Sequence, residues 1–130
     1  MKKSRDPLID NAKEFLLEAR DAYRNRRFPL VCFLSHQAAE FALRALATMI
    51  AEETEYSENL LNYLDFLATK GMVIPDDIYA FSEALSQHFM NIKCLSRAGM
   101  EYTENQALRC IAYAEAILSF VEKEIQKRSS

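Results

Sequence analysis

Apolar positions recur along this chain at three- and four-residue spacing, interrupted by short polar joints. Leu8, Ile9, Ala12, Phe15, Leu16, Ala19, Ala22 and Tyr23 mark one face of a first helix, predicted over about 6–24. Asp6-Pro7 supplies its N-cap and a proline at the first helical position. A basic joint, Arg24-Asn25-Arg26-Arg27, leads into FPLVCFLSHQAAEFALRALATMI, the longest apolar run, predicted as a helix over about 28–53. At about 100° per residue, His36, Gln37, Glu40, Arg44 and Thr48 share one sector of that helix. The other face is apolar except for Ser35. A helix so apolar must be wrapped by neighbours, which makes it the central helix of an all-α domain. Its narrow polar stripe must then face a cleft, a partner or water.

Three more helices follow. Leu60, Leu61, Leu64 and Leu67 give the inward face of a short one, about 58–69, which Gly71 stops as its C′ residue. Pro75-Asp76-Asp77 opens a fourth, with acids where the helix dipole favours them. Its stripe is Ile78, Phe81, Leu85, Phe89, Ile92 and Leu95, and Gly99 ends it. Thr103-Glu104-Asn105-Gln106 fits a capping box for a fifth helix reaching about Lys127. Leu108, Ile111, Ala114, Leu118, Val121 and Ile125 face inward there. Joints this short place successive helices antiparallel. The expected fold is all-α, an up-and-down antiparallel bundle of about five helices forming a single domain over 1–130.

Composition narrows the picture without changing it. Two glycines and three prolines in 130 residues leave few turns for a β-rich fold. A chain of this size needs no disulfide or metal to fold. Net charge −3 argues against a general electrostatic nucleic-acid binder, while leaving room for a local basic patch. Cys32, Cys94 and Cys110 are widely spaced and read as buried free thiols of a reducing cytosol. The opening MKKSRDPLIDNAKEF has no apolar stretch of the signal-peptide kind, and Glu40 and Arg44 interrupt the apolar run that could otherwise span a membrane. The expected location is the cytoplasm.

Candidate chemistry is sparse. His36 and His88 are the two histidines, without HxxxH, HExxH or ExxH spacing, so no metal is expected. Ser35 and His36 are adjacent, and adjacent helical residues point about 100° apart, which defeats a nucleophilic pair. Two glycines cannot build a phosphate loop. Glu40 and Arg44 form an i,i+4 pair in the favourable order beside Gln37. This set is either a solvated stripe with one weak ion pair or the lining of a cleft. Lys93 and Arg97 share a face one turn apart near a helix C-terminus. The dipole alone would explain them, and they could also bind phosphate.

The order and spacing of these elements resemble the HEPN domains of bacteria and archaea over nearly the whole chain. LIDNAKEFLLEARDAY is similar to that family's alanine-rich opening helix. FLSHQAAEFALRAL resembles its QxxExxxK segment, with Gln37, Glu40 and Arg44 in the three places. FMNIKCLSRAG stands where the family has an aromatic followed by an Arg-Tyr-Pro-like turn, with Arg97 as the arginine. ALRCIAYAEAILSFVEKEI resembles the closing helix. The resemblance implies a compact bundle that dimerises. It also implies either a nucleotide-binding accessory role, often beside a small nucleotidyltransferase, or metal-independent RNA cleavage, some members being toxins or phage-defence components.

The cleaving branch depends on an Arg followed four to six residues later by His, and no His follows Arg97. Arg44 replaces the family's lysine, keeping charge and altering geometry. The expectation is a non-catalytic HEPN-type domain: a homodimer without cofactor or membrane contact. It would bind a nucleotide, an RNA or a partner such as a nucleotidyltransferase through Gln37, Glu40, Arg44, Lys93 and Arg97. An RNA endonuclease of the toxin or defence type would have to use His36 or His88 instead. A purely structural adaptor bundle is the third reading.

Overall fold

The computed structural model describes residues 6–51, 56–93 and 102–129. Five helices follow one another: α1 (Pro7–Arg24), α2 (Phe28–Ile50), α3 (Leu60–Thr69), α4 (Asp76–Lys93) and α5 (Glu104–Ser129). The caps at Asp6 and Thr103 are those expected from the sequence, and Asn59 adds one that was not. Asp6 accepts from the Leu8 amide at 2.9 Å, and Asn59 accepts from Leu61 at 3.1 Å. Thr103 and Gln106 close a reciprocal box at 2.8 and 3.1 Å.

Two helices end in the same six-to-one motif. The Met72 amide reaches Leu67 O at 3.2 Å around Gly71, whose φ of +91° suits glycine. The Arg27 amide reaches Ala22 O at 2.9 Å around Arg26, which takes φ +58° without being glycine.

α2 is the axle. It packs against α1, α3, α4 and α5. Alanine surfaces let neighbours approach closely: Ala38, Ala39, Ala42 and Ala45 on α2 and Ala12 and Ala19 on α1 are fully enclosed. α1 lies antiparallel to α2, with Phe15 edge-on to Phe41 at 5.1 Å and Tyr23 near Phe28 at 5.9 Å. α5 runs antiparallel to α1, as Lys13–Glu122, Arg20–Glu115 and Arg26–Glu104 step down the pair. These pairs are solvent-exposed and contribute little stability. α4 opposes α5, with Phe81 stacked on Tyr113 at 4.8 Å.

One joint does not reverse the chain. Glu58 O meets His36 and the Tyr63 hydroxyl meets Glu40, so α3 starts beside the first half of α2 and runs parallel to it. The His36 and Glu40 part of the α2 stripe is therefore covered by the protein's own chain, while Thr48 at its end is exposed.

The buried stripe of α5 passes through Ala107, Cys110, Ile111, Ala114, Ile117, Leu118 and Val121. It lies one position away from the expected line at its start, so Leu108 is 45 % exposed. Met49, expected on the apolar face of α2, is likewise exposed. Cys32 and Cys110 are buried free thiols, and Cys94 lies outside the described residues. The hydrogen-bonding contact with Cys32, and then burial, push the Cys110 thiol well above its ordinary range. Among the described residues no helix is long and apolar enough to cross a membrane.

Candidate functional site

Two turns of α2 carry the polar cluster. His36 and Glu40 are completely enclosed. The Glu40 carboxylate accepts from Arg44 Nε at 3.0 Å and Arg44 Nη2 at 2.8 Å, a two-point fork within one helix. It also accepts from the Tyr63 hydroxyl of α3 at 2.5 Å. Tyr63 in turn accepts from the Ser57 amide at 3.2 Å. Burial, then the bond to Glu40, pushes the Tyr63 phenol up to about 12. Hydrogen bonding to Glu40 raises Arg44 above its ordinary value.

Arg44 sits between two rings, its guanidinium 4.8 Å from the centre of Phe41 and 5.4 Å from that of Tyr56. Its side chain keeps 28 % of its surface open to solvent. Glu40 reaches no solvent, so within this set it acts by holding Arg44.

His36 has a different environment. Its Nε2 donates to Glu58 O at 2.7 Å, and its ring stacks on Phe89 at 4.0 Å, which stacks on Phe33 at 5.6 Å. On the other side of the ring, Gln37 Oε1 lies 3.3 Å from Nδ1. Burial lowers the His36 pKa below its ordinary value, the hydrogen bonds opposing only in part. The ring is thus enclosed, and its burial favours the neutral form.

A depressed histidine pKa makes the unfolded chain the better proton binder, so stability must fall as pH drops below the ordinary histidine value of about 6.5. The loss continues down to the folded-state pKa, and stability is flat above that window. NMR should show His36 titrating below free histidine, with urea midpoints falling over the same range. A His36 midpoint at or above the ordinary value would overturn the buried neutral assignment.

The structure joins Glu40 and Arg44, while Gln37, on the same helix, lies against His36. The side chain of Lys93, the last residue of α4, and the whole of Arg97 lie outside the described residues. Sequence reading missed Tyr63 and Tyr56. The signal for Tyr63 was present, since 60, 63, 64 and 67 form a stricter helical stripe than one running through Leu61. Among the described residues no group of three metal-capable side chains converges. A groove of about 740 Å³ between the α3–α4 turn and the second half of α5 touches none of these residues.

An all-α bundle with a buried acid-arginine fork on its central helix defines the class. The HEPN domain family matches residues 6–125, and the chain belongs to that family. The chain is similar to TT1696 of Thermus thermophilus at 22 % identity, covering 90 % of this chain and 94 % of that one with a TM-score of 0.78. It is similar to ST0689, an archaeal HEPN homologue, at 27 % identity over 95 % and 99 % of the two chains, TM-score 0.77. An HEPN domain protein of Thermotoga maritima is 22 % identical over 92 % and 97 %, TM-score 0.73. No curated protein matches the chain.

Proposed function

We propose that this chain is a non-catalytic, cytoplasmic HEPN domain that acts as a homodimer and binds a nucleotide, alongside a partner such as a small nucleotidyltransferase. The binding residues are Gln37, Arg44, Lys93 and Arg97, with Glu40 positioning Arg44. The observation that carries this is Arg44 itself. A planar cation fixed by a carboxylate and two aromatic rings, yet still open to solvent, is suited to a phosphate or carboxylate fork. Enclosure and neutrality of His36 favour binding over RNA cleavage.

Calorimetric titration with ATP, GTP, AMP and a short RNA tests the reading. One nucleotide should bind saturably. Arg44→Lys keeps the charge opposite Glu40 and loses the fork, and should weaken binding about tenfold with the circular dichroism unchanged. Arg97→Glu should weaken it at least as much. Equal affinity in both variants would remove this site, and a flat response to every ligand would favour the adaptor reading. RNA cleavage in chelator, lost in His88→Ala, would favour the endonuclease.

A further inference from the structure

The groove of about 740 Å³ at the α3–α4 turn is of the size that binding sites occupy. One wall is a continuous face of α5, running from Ala116 through Phe120, Lys123 and Lys127 to Arg128. At 1.5 Å per residue that face is about 18 Å long. The facing wall is the turn that Gly71 makes, followed by Val73, Pro75 and the first turns of α4 at Ile78. Ile78 is buried and Phe120 is half-buried against the core. Val73 packs into neither apolar cluster and is 86 % exposed. The floor of the groove is thus apolar, with one large side chain that holds nothing in this chain together.

The rim is cationic, in a chain whose net charge is −3. Lys127 is held by Glu124 at 3.1 Å. Asp77 stands in the first turn of α4, where the helix dipole stabilises it. Lys123 and Arg128 are both exposed and make no ion pair among the described residues. The other side of α5 is different. There Glu115 and Glu122 meet Arg20 and Lys13 of α1, each cation with its own acid. The side turned to the groove leaves two cations over, above an apolar floor.

We propose that this groove docks an acidic amphipathic helix of a partner protein. Its apolar stripe lies on Val73, Ile78 and Phe120, and carboxylates on its flanks meet Lys123 and Arg128. Length favours a helix, since about 18 Å takes a little over three turns. The apolar floor supplies affinity and the cationic rim selects the partner by charge. The same floor disfavours RNA. Phosphates would leave Val73 and Ile78 without a partner, and bases need aromatic platforms, of which this groove has Phe120 alone. The groove shares no residue with the Glu40–Arg44 cluster, so it stands whether or not a nucleotide binds there.

Two synthetic amphipathic helices of about eighteen residues serve as probes. They share one leucine stripe, and one is flanked by glutamates, the other by lysines. Each is titrated into the intact, isotope-labelled protein and followed by NMR. The glutamate helix should bind saturably and shift the amides of 71–78 and 116–128. It should bind at least about tenfold more tightly than the lysine helix and lose that advantage in high salt. Val73→Asp changes an exposed side chain, so it should fold normally and weaken the glutamate helix about tenfold. Lys123→Glu should weaken the glutamate helix and strengthen the lysine one. Equal affinity for the two helices, shifts centred away from the groove, unchanged binding in Val73→Asp, or no binding of either helix overturns the docking site. A short RNA that shifts the same amides and displaces the glutamate helix overturns the assignment to a protein partner.

Discussion

Glu40→Ala is expected to cost the domain about 3 kcal/mol, read as a lower urea midpoint with an unchanged m-value. The reason is asymmetry. Glu40 is fully enclosed and bonded to Arg44 and Tyr63, so its loss leaves a phenol and a guanidinium facing a vacancy they were folded around. Breaking a buried pair from one side costs about 3–5 kcal/mol. The low end applies because Arg44, 28 % exposed, can recover part of its hydration. Tyr63→Phe removes one bond and no charge, and should cost about 1–2 kcal/mol. A cost for Glu40→Ala no greater than for an exposed ion pair, well under about 1 kcal/mol, would mean that the cluster is hydrated in solution.

Leu43→Ala should be of comparable severity, at about 2–5 kcal/mol. Leu43 is fully enclosed on the helix that touches every other one. The cost of such a truncation depends on how far the walls can move in, and here the walls are helices already seated against α2. The useful control is Leu17→Ala on α1. That side chain is 62 % exposed, so it should change stability by less than about 0.5 kcal/mol. Similar effects at both positions would contradict the packing described.

Several helix boundaries were readable because they have a local chemical cause. Asp6-Pro7, the Thr103–Gln106 box and Gly71 act within a turn of where they stand. The end of α1 fell at Arg24 as expected, but nothing local announces that the left-handed position after it goes to Arg26 rather than to a glycine. The polar face of α2 was visible as a stripe, but its surroundings were not. Whether Glu40 meets water or Tyr63 depends on where α3 returns, and that is a long-range property which periodicity does not encode. The expected antiparallel step from α2 to α3 failed for the same reason. Leu108 was misplaced because adjacent positions 107 and 108 fit the same α5 repeat almost equally well, and only packing against α2 chooses between them.

The axle position of α2 also makes the domain indivisible. A bundle of side-by-side hairpins can lose its last hairpin and keep a smaller core. Here every other helix packs on one common helix. Cutting the chain at a joint should bare part of the apolar surface of α2, so trimming the domain by a helix is expected to lower the solubility of what remains.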